Sequence, residues 1–428
     1  MIKKALTKLI LFLLIITLHI HLKIYALSDN SQYAPLAKLW NVANDEVPKL
    51  LTREKTLIEA SQKLKPLLDG INFGGSYIDT KSNKLFINII NLSLKDNITN
   101  SMKPYQDLLS FNTVNNSLTK LNSTFDKLTS LALQHNATNY IISNKYKVNN
   151  IVIYLDPNDY GRNKAFIDNA MQYNPIIKNS ASIKGEPKST TLDSNAIESR
   201  DVFVYVVGGD WIYDHAGNEV CTAGFWISRE SRSDLIYLVT AGHCFDNDFA
   251  NPDGSQNFYT RIYNLVNIGR MMYHSLQLKD VGYILKESDL IVGRPIVRGV
   301  ARVSRQSPII GSLHSDQLEA GSYLCMSGAE SGVQCGYIDA LDANISYRDG
   351  YYVEDVIITT IYSTLGDSGA PVYHSESDDP EDFPDRILIS GIIISGRRGD
   401  EEEDEEMTSV VQPINTILVD DFFLITAN

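Results

Sequence analysis

Leu365-Gly366-Asp367-Ser368-Gly369-Ala370-Pro371 places a serine on a tight, glycine-flanked turn. About 125 residues earlier, Thr240-Ala241-Gly242-His243-Cys244 ends the apolar run Tyr237-Leu238-Val239 in a histidine followed by a cysteine. A serine hydroxyl is a poor nucleophile until a base removes its proton. An imidazole that titrates near neutrality can take that proton and later return one to a leaving group. The two segments thus supply one candidate nucleophile, Ser368, and one candidate base, His243. The other histidines downstream of residue 200, His215, His274, His314 and His374, have no such context and read as surface residues.

The surroundings of these segments are strand-like. Val202–Val207, Gly224–Ile227, Leu235–Thr240, Val281–Leu285, Tyr352–Ile358 and Ile387–Ser395 are short apolar or alternating runs separated by turns. That pattern predicts an all-β sandwich or barrel. Pro413 to Ile425 is the best helix candidate. Asp280, in Lys279-Asp280-Val281-Gly282-Tyr283-Ile284, precedes an apolar strand-like run; Asp246 and Asp248, close to His243 in sequence, and Asp289, ahead of Leu-Ile-Val, are the other acids of this region.

These segments, in the order histidine, aspartate, serine, resemble the chymotrypsin-like serine proteases, and the subtilisin and α/β-hydrolase orders differ. Within them the resemblance is to the streptogrisin and α-lytic protease subgroup. It rests also on Cys325-Met326-Ser327-Gly328 with Gly332-Val333-Gln334-Cys335-Gly336, on Val207-Gly208-Gly209-Asp210 near a mature start, on Ser395-Gly396-Arg397, and on Thr408 to Ile414. It implies a double six-stranded β-barrel over residues 201–428. It also implies Ser368 as nucleophile, His243 as general base and Asp280, with Asp289 as its serious rival, as the acid that orients the imidazole, together with an oxyanion hole from the amides of Gly366 and Ser368, a buried structural role for Asp367, and a substrate-pairing strand at Ser395, Gly396 and Arg397. Four cysteines allow three pairings; the resemblance selects Cys221–Cys244 and Cys325–Cys335. Zinc binding is the alternative use of these cysteines, but the chain has no Cys-x-x-Cys pair. The chemistry requires no metal or organic cofactor.

Charge divides the chain near residue 200. Residues 27–200 hold 20 Lys/Arg and 16 Asp/Glu, whereas residues 201–428 hold 14 and 36. The polar stretch 184–195 reads as a linker. A mildly basic first half and an acidic second half attract one another, although simple drift in surface composition gives the same numbers. Strong net acidity, −14 overall, argues against a nucleic-acid partner. In the first half, Val47, Leu50, Leu51, Leu57, Ile58 and Leu64 recur with helical period. Gly74-Gly75-Ser76-Tyr77-Ile78-Asp79 and Lys84-Leu85-Phe86-Ile87-Asn88-Ile89 predict a hairpin, residues 104–133 a second helical stretch, and Val148 to Leu155 a strand. This α+β layout resembles the pro-regions of the same subgroup. The resemblance implies a folding-assisting and inhibitory pro-domain over residues 27–200, removed between Arg200 and Val206; an independent adhesion or regulatory module is the alternative.

Lys3, Lys4 and Lys8 precede the apolar run Leu9–Leu18, and Tyr25-Ala26 offers a small residue for cleavage. Residues 1–26 therefore read as a secretory signal peptide; an apolar run this short falls below the roughly 20 residues of a membrane-spanning anchor. Secretion suits disulfides, and six Asn-x-Ser/Thr sequons, at Asn91, Asn97, Asn115, Asn122, Asn136 and Asn344, are candidate glycan sites that imply exposure. The expectation is an extracellular, glycosylated, monomeric serine endopeptidase made as a zymogen, with protein or peptide substrates, its own pro-region as partner, and no stable membrane insertion.

Three positions depart from the family pattern. Ala370 stands where a glycine is usual, and Arg397 replaces a glycine at the mouth of the specificity pocket, where a long side chain could narrow it. Asp400–Glu406 is a run of seven acidic residues, read either as a solvated loop or as a bias toward basic peptides. Tyr362, six residues before the serine, supplies no acidic pocket floor. The alternative function is a catalytically weak or inactive homologue used for binding, with Arg397 blocking the pocket.

Overall fold

The computed structural model describes residues 32–182, 203–300, 306–376, 386–399, 407–419 and 421–427. The segment 1–26, the linker 184–195, residues 200–202 of the expected processing stretch and the acidic run 400–406 lie outside these residues.

The N-terminal half mixes helices and strands. The helix Val47–Leu64 buries Leu50, Leu57 and Leu64 on one side, as its spacing predicts. It packs on an antiparallel pair, Phe73–Asp79 with Lys84–Ile89. The strand Leu109–Thr113 joins this pair in parallel, so residues 104–133 are not one helix. Leu109 and Phe111 alternate in sequence with Ser110 and Asn112 along an edge strand, and the helix begins only at Leu118, where the Ser117 hydroxyl accepts the Lys120 N–H and caps it. Two further strands, Tyr140–Lys145 and Asn150–Leu155, pair antiparallel. Ile176–Ser182 then runs parallel to the second of them.

The C-terminal half is β-rich. One sheet has eight strands and carries Ile236–Thr240 next to Val281–Lys286. A second sheet has twelve. Neither count is the expected six per barrel. The edge hairpin Trp211–Tyr213/Glu219–Thr222 and the terminal strand Phe422–Leu424 lengthen the first sheet. Three N-terminal-half strands enter the second. Tyr140–Lys145 pairs with Gly332–Ser346, and Ile176–Ser182 pairs with Arg397–Gly399 at the end of Ile387–Gly399. The N-terminal half thus bridges two strand edges of the C-terminal half with backbone hydrogen bonds, the pairing that an unpaired edge invites. The expected C-terminal helix shrinks to Ile414–Ile417; beyond it Phe422–Leu424 finds a strand partner in Trp226–Arg229, and that pairing outweighs helical propensity.

Side chains complete the junction. Trp40 meets Tyr323 edge-on with ring centroids 5.8 Å apart, and the Ser61 hydroxyl donates to buried Glu319 at 2.8 Å. Gly321 (φ +88°) passes so close to Ile78 that an added Cβ would lie 2.0 Å from its carbonyl oxygen, so only glycine fits. Among the described residues no helix is long and apolar enough to cross a membrane.

Candidate active site

The strand Ile236–Thr240 delivers His243 on the one-turn 3₁₀ segment Gly242–Cys244. An added Cβ on Gly242 would lie 2.2 Å from the Ser275 carbonyl oxygen, so this glycine lets the turn press against the neighbouring chain. The Cys221–Cys244 disulfide ties the same turn to the edge hairpin; Cys325–Cys335 closes a separate small loop. Cys221, His243 and Cys244 are the one group of potential metal ligands among the described residues, but both sulfurs are committed to the disulfide.

Asp280 is completely buried. Its Oδ1 accepts the His243 backbone N–H at 3.0 Å, and its Oδ2 lies 2.7 Å from His243 Nδ1. Gln412 Oε1 accepts the Asp280 N–H at 2.9 Å, and the Tyr347 hydroxyl donates to Asp280 Oδ2 at 3.4 Å. Asp246, Asp248 and Asp289 are exposed. On the other side of the ring, Nε2 lies 2.8 Å from Ser368 Oγ. Burial depresses the His243 pKa, but the charge and hydrogen bond of Asp280 outweigh it, and the net pKa is above 6.5.

Ser368 sits between two glycines in the left-handed region, Gly366 (φ +95°) and Gly369 (φ +86°). The Asp367 carboxylate accepts N–H groups from Thr364 at 2.9 Å, Ser331 at 3.1 Å and Glu330 at 3.2 Å. Burial raises its pKa while these amides oppose the rise. The turn is therefore anchored by backbone amides. The amides of Gly366 and Ser368 make no hydrogen bond within the described residues. Ala370 is buried and in the core.

A cleft of about 480 Å³ opens beside these groups, with Ser395, Gly396, Leu365 and Tyr351 in its walls. Arg397 does not enter it. Its side chain is 1% exposed and turns to the N-terminal half, donating to Asn139 Oδ1 at 3.0 Å; the expected narrowing of the pocket is absent in this arrangement. Burial lowers the Arg397 pKa to about 10. Tyr362 is 41% exposed and does not line this cleft.

No family model matches the chain. It is 24% identical over 205 residues to streptogrisin-C of Streptomyces griseus, covering 46% of this chain and 40% of that one. It is 24% identical over 343 residues to streptogrisin-D of the same organism, covering 78% of this chain and 75% of that one. The chain resembles the chymotrypsin-like serine proteases of the streptogrisin and α-lytic protease subgroup. Among solved structures, Thermobifida fusca protease A is 22% identical, covering 52% of this chain and all of that one, with a TM-score of 0.39. Cellulomonas bogoriensis chymotrypsin is 21% identical with the same coverage and a TM-score of 0.37.

Two residues, Tyr347 beside the site and His374 at the junction with the N-terminal half, carried no sequence signal. Tyr347 has no motif around it, and its contact with Asp280 depends on a hairpin folding back. His374, expected on the surface, stacks on Tyr323 at 4.5 Å and lies 4.0 Å from Glu54 of the N-terminal half. Asn344, expected to be exposed as a glycan site, is buried, with its amide donating to Thr129 Oγ1 at 3.2 Å. The other five sequon asparagines are exposed.

Proposed function

We propose that this chain is a secreted zymogen of a serine endopeptidase that cleaves peptide bonds through an acyl-enzyme on Ser368. The observation that carries the reading is the continuous relay Asp280 Oδ2–His243 Nδ1 at 2.7 Å and His243 Nε2–Ser368 Oγ at 2.8 Å. Ser368 Oγ attacks the scissile carbonyl carbon while Nε2 takes its proton. The imidazolium formed is stabilised by Asp280, which remains ionised. The carbonyl oxygen, now negative, receives the amides of Gly366 and Ser368. Collapse expels the amine, which leaves with the proton from Nε2. Water then repeats the sequence on the ester, with His243 again as base, and frees the carboxylic acid and Ser368.

In this reading residues 1–26 direct secretion, residues 27–200 form the pro-domain, and residues 201–428 form the protease. The strand Ile176–Ser182 pairs antiparallel with Arg397–Gly399, one residue beyond Gly396. An extended substrate would use this same edge, so the pro-domain silences the enzyme by occupying it. The protein is expected to act as a monomer outside the cell, with glycans at some of the exposed sequons.

The test uses the secreted, processed chain. Uptake of one equivalent of a fluorophosphonate, lost in Ser368→Ala, with turnover of a peptide library, supports the reading. Absence of uptake after correct processing refutes it and favours a binding module.

A further inference from the structure

We infer that Thr222 is a positioning residue that sets the oxyanion hole, an inference that rests on the protease reading of the Ser368 site. Thr222 closes the edge hairpin next to Cys221 and is completely buried. Its backbone N–H donates to the Ser368 carbonyl oxygen at 2.8 Å. Its hydroxyl donates to the Gly366 carbonyl oxygen at 2.7 Å. The same hydroxyl accepts the Ala329 N–H at 3.1 Å. One residue therefore holds the carbonyls of both residues whose amides would receive the negative oxygen.

This matters because of what Gly366 is. At φ +95°, without a side chain, its two flanking peptide planes rotate at little steric cost. Pinning its C=O to Thr222 fixes the 366–367 plane, and pinning the Ser368 C=O fixes the 368–369 plane; the 367–368 plane that carries the Ser368 N–H is held between them, and the Gly366 Cα that its own N–H adjoins is anchored on one side. A rigid donor is effective at stabilising developing charge because it needs no reorganisation as the charge forms. A hydroxyl suits this place, since it supplies one donor and still has lone pairs for an incoming N–H. Ala329 carries the link on. The next two amides, of Glu330 and Ser331, bind the Asp367 carboxylate, so Thr222, the 329–331 loop and the serine turn form a closed ring of hydrogen bonds. The Thr222 carbonyl accepts the Thr240 hydroxyl at 2.9 Å, at the head of the histidine motif. The residue thus joins the base-bearing and nucleophile-bearing segments.

The experiment compares Thr222→Val and Thr222→Ser with the wild-type protein, each expressed as the full chain and processed. Active sites are counted by fluorophosphonate titration, so that turnover is expressed per folded site. We expect Thr222→Val to lower kcat per site by on the order of 10- to 100-fold, with KM nearly unchanged. Its affinity for a peptide boronate, whose tetrahedral oxygen enters the same hole, should fall by a similar factor, and Thr222→Ser should restore both. Wild-type-like kcat and boronate affinity in Thr222→Val would overturn the inference. So would an equal loss in Thr222→Ser, because only the methyl group is missing there; that outcome holds even if the valine variant does not fold. A wild-type protein that takes up no fluorophosphonate would instead sink the protease reading itself.

Discussion

Glu54 and His374 face each other across the junction of the two halves, and pH should move their contributions in opposite directions. Glu54 lies on the long N-terminal helix, is 1% exposed, and accepts from the Thr80 hydroxyl and from the Tyr323 N–H at 3.0 Å. Burial raises its pKa from 4.5 to about 7, against the pull of those two hydrogen bonds. His374, from the C-terminal half, is pushed by burial from 6.5 down to about 4. Buried Glu319, paired with Lys65, lines the same interface cavity of about 360 Å³. A raised carboxyl favours the joined state while protonated. That stability is complete below pH 4.5 and is lost as pH rises through about 7, a difference of about 3 kcal/mol. A depressed imidazole favours the joined state while neutral. Its contribution is complete above pH 6.5 and is lost as pH falls through about 4, again about 3 kcal/mol. Between pH 4.5 and 6.5 the two slopes cancel in the wild-type chain, and removing either partner exposes the other. Urea midpoints of the full chain from pH 4 to 7.5 test this. The stability of Glu54→Gln relative to wild type should climb with pH, and that of His374→Gln should fall. Two difference curves with the same sign of slope, or both flat, would refute the reasoning.

Further expectations concern the site. Asp280→Asn should leave the fold intact but lower kcat by about 10⁴-fold, because an amide N–H facing Nδ1 favours the imidazole tautomer that cannot accept the serine proton; an activity within tenfold of wild type would contradict the assigned relay. Since Asp280 holds the His243 pKa above 6.5, and the base must be neutral, wild-type kcat/KM should fall as pH drops through that raised value, and the residual activity of Asp280→Asn should titrate lower. Gly366→Ala brings a Cβ to 2.3 Å from the Trp211 ring at a left-handed position; kcat should drop about 100-fold or more as the amide is displaced, and unchanged turnover per titrated site would contradict the ring's placement. Peptide mapping of the intact precursor should find no glycan on Asn344, whose side chain is enclosed; occupancy there would be incompatible with the packing of Thr129 against it.

Much of the site was legible because its chemistry needs specific residues close together in sequence. Thr240–Cys244 and Leu365–Pro371 each combine a reactive side chain with the backbone that presents it. The strands of the C-terminal half were readable from apolar alternation to within two residues at Ile236–Thr240 and Val281–Lys286. What escaped was decided at long range. The residues of Leu109–Thr113 alternate too briefly to separate a strand from a helical turn, and pairing with Lys84–Ile89 settles it. Arg397 reads as a residue at a pocket mouth until Asn139, 258 positions away, draws it aside. His374 and Asn344 look like surface residues because the surface that covers them belongs to the other half of the chain.

The three amides that satisfy Asp367 have a kinetic corollary. On the zymogen reading proposed above, its carboxylate needs no newly created chain end to pair with, so cutting such a precursor would have no assembly step to trigger. Onset of activity is then a clearance problem. The lag before turnover should follow the rate at which the leading half dissociates or is degraded, and should shorten when a second protease digests it.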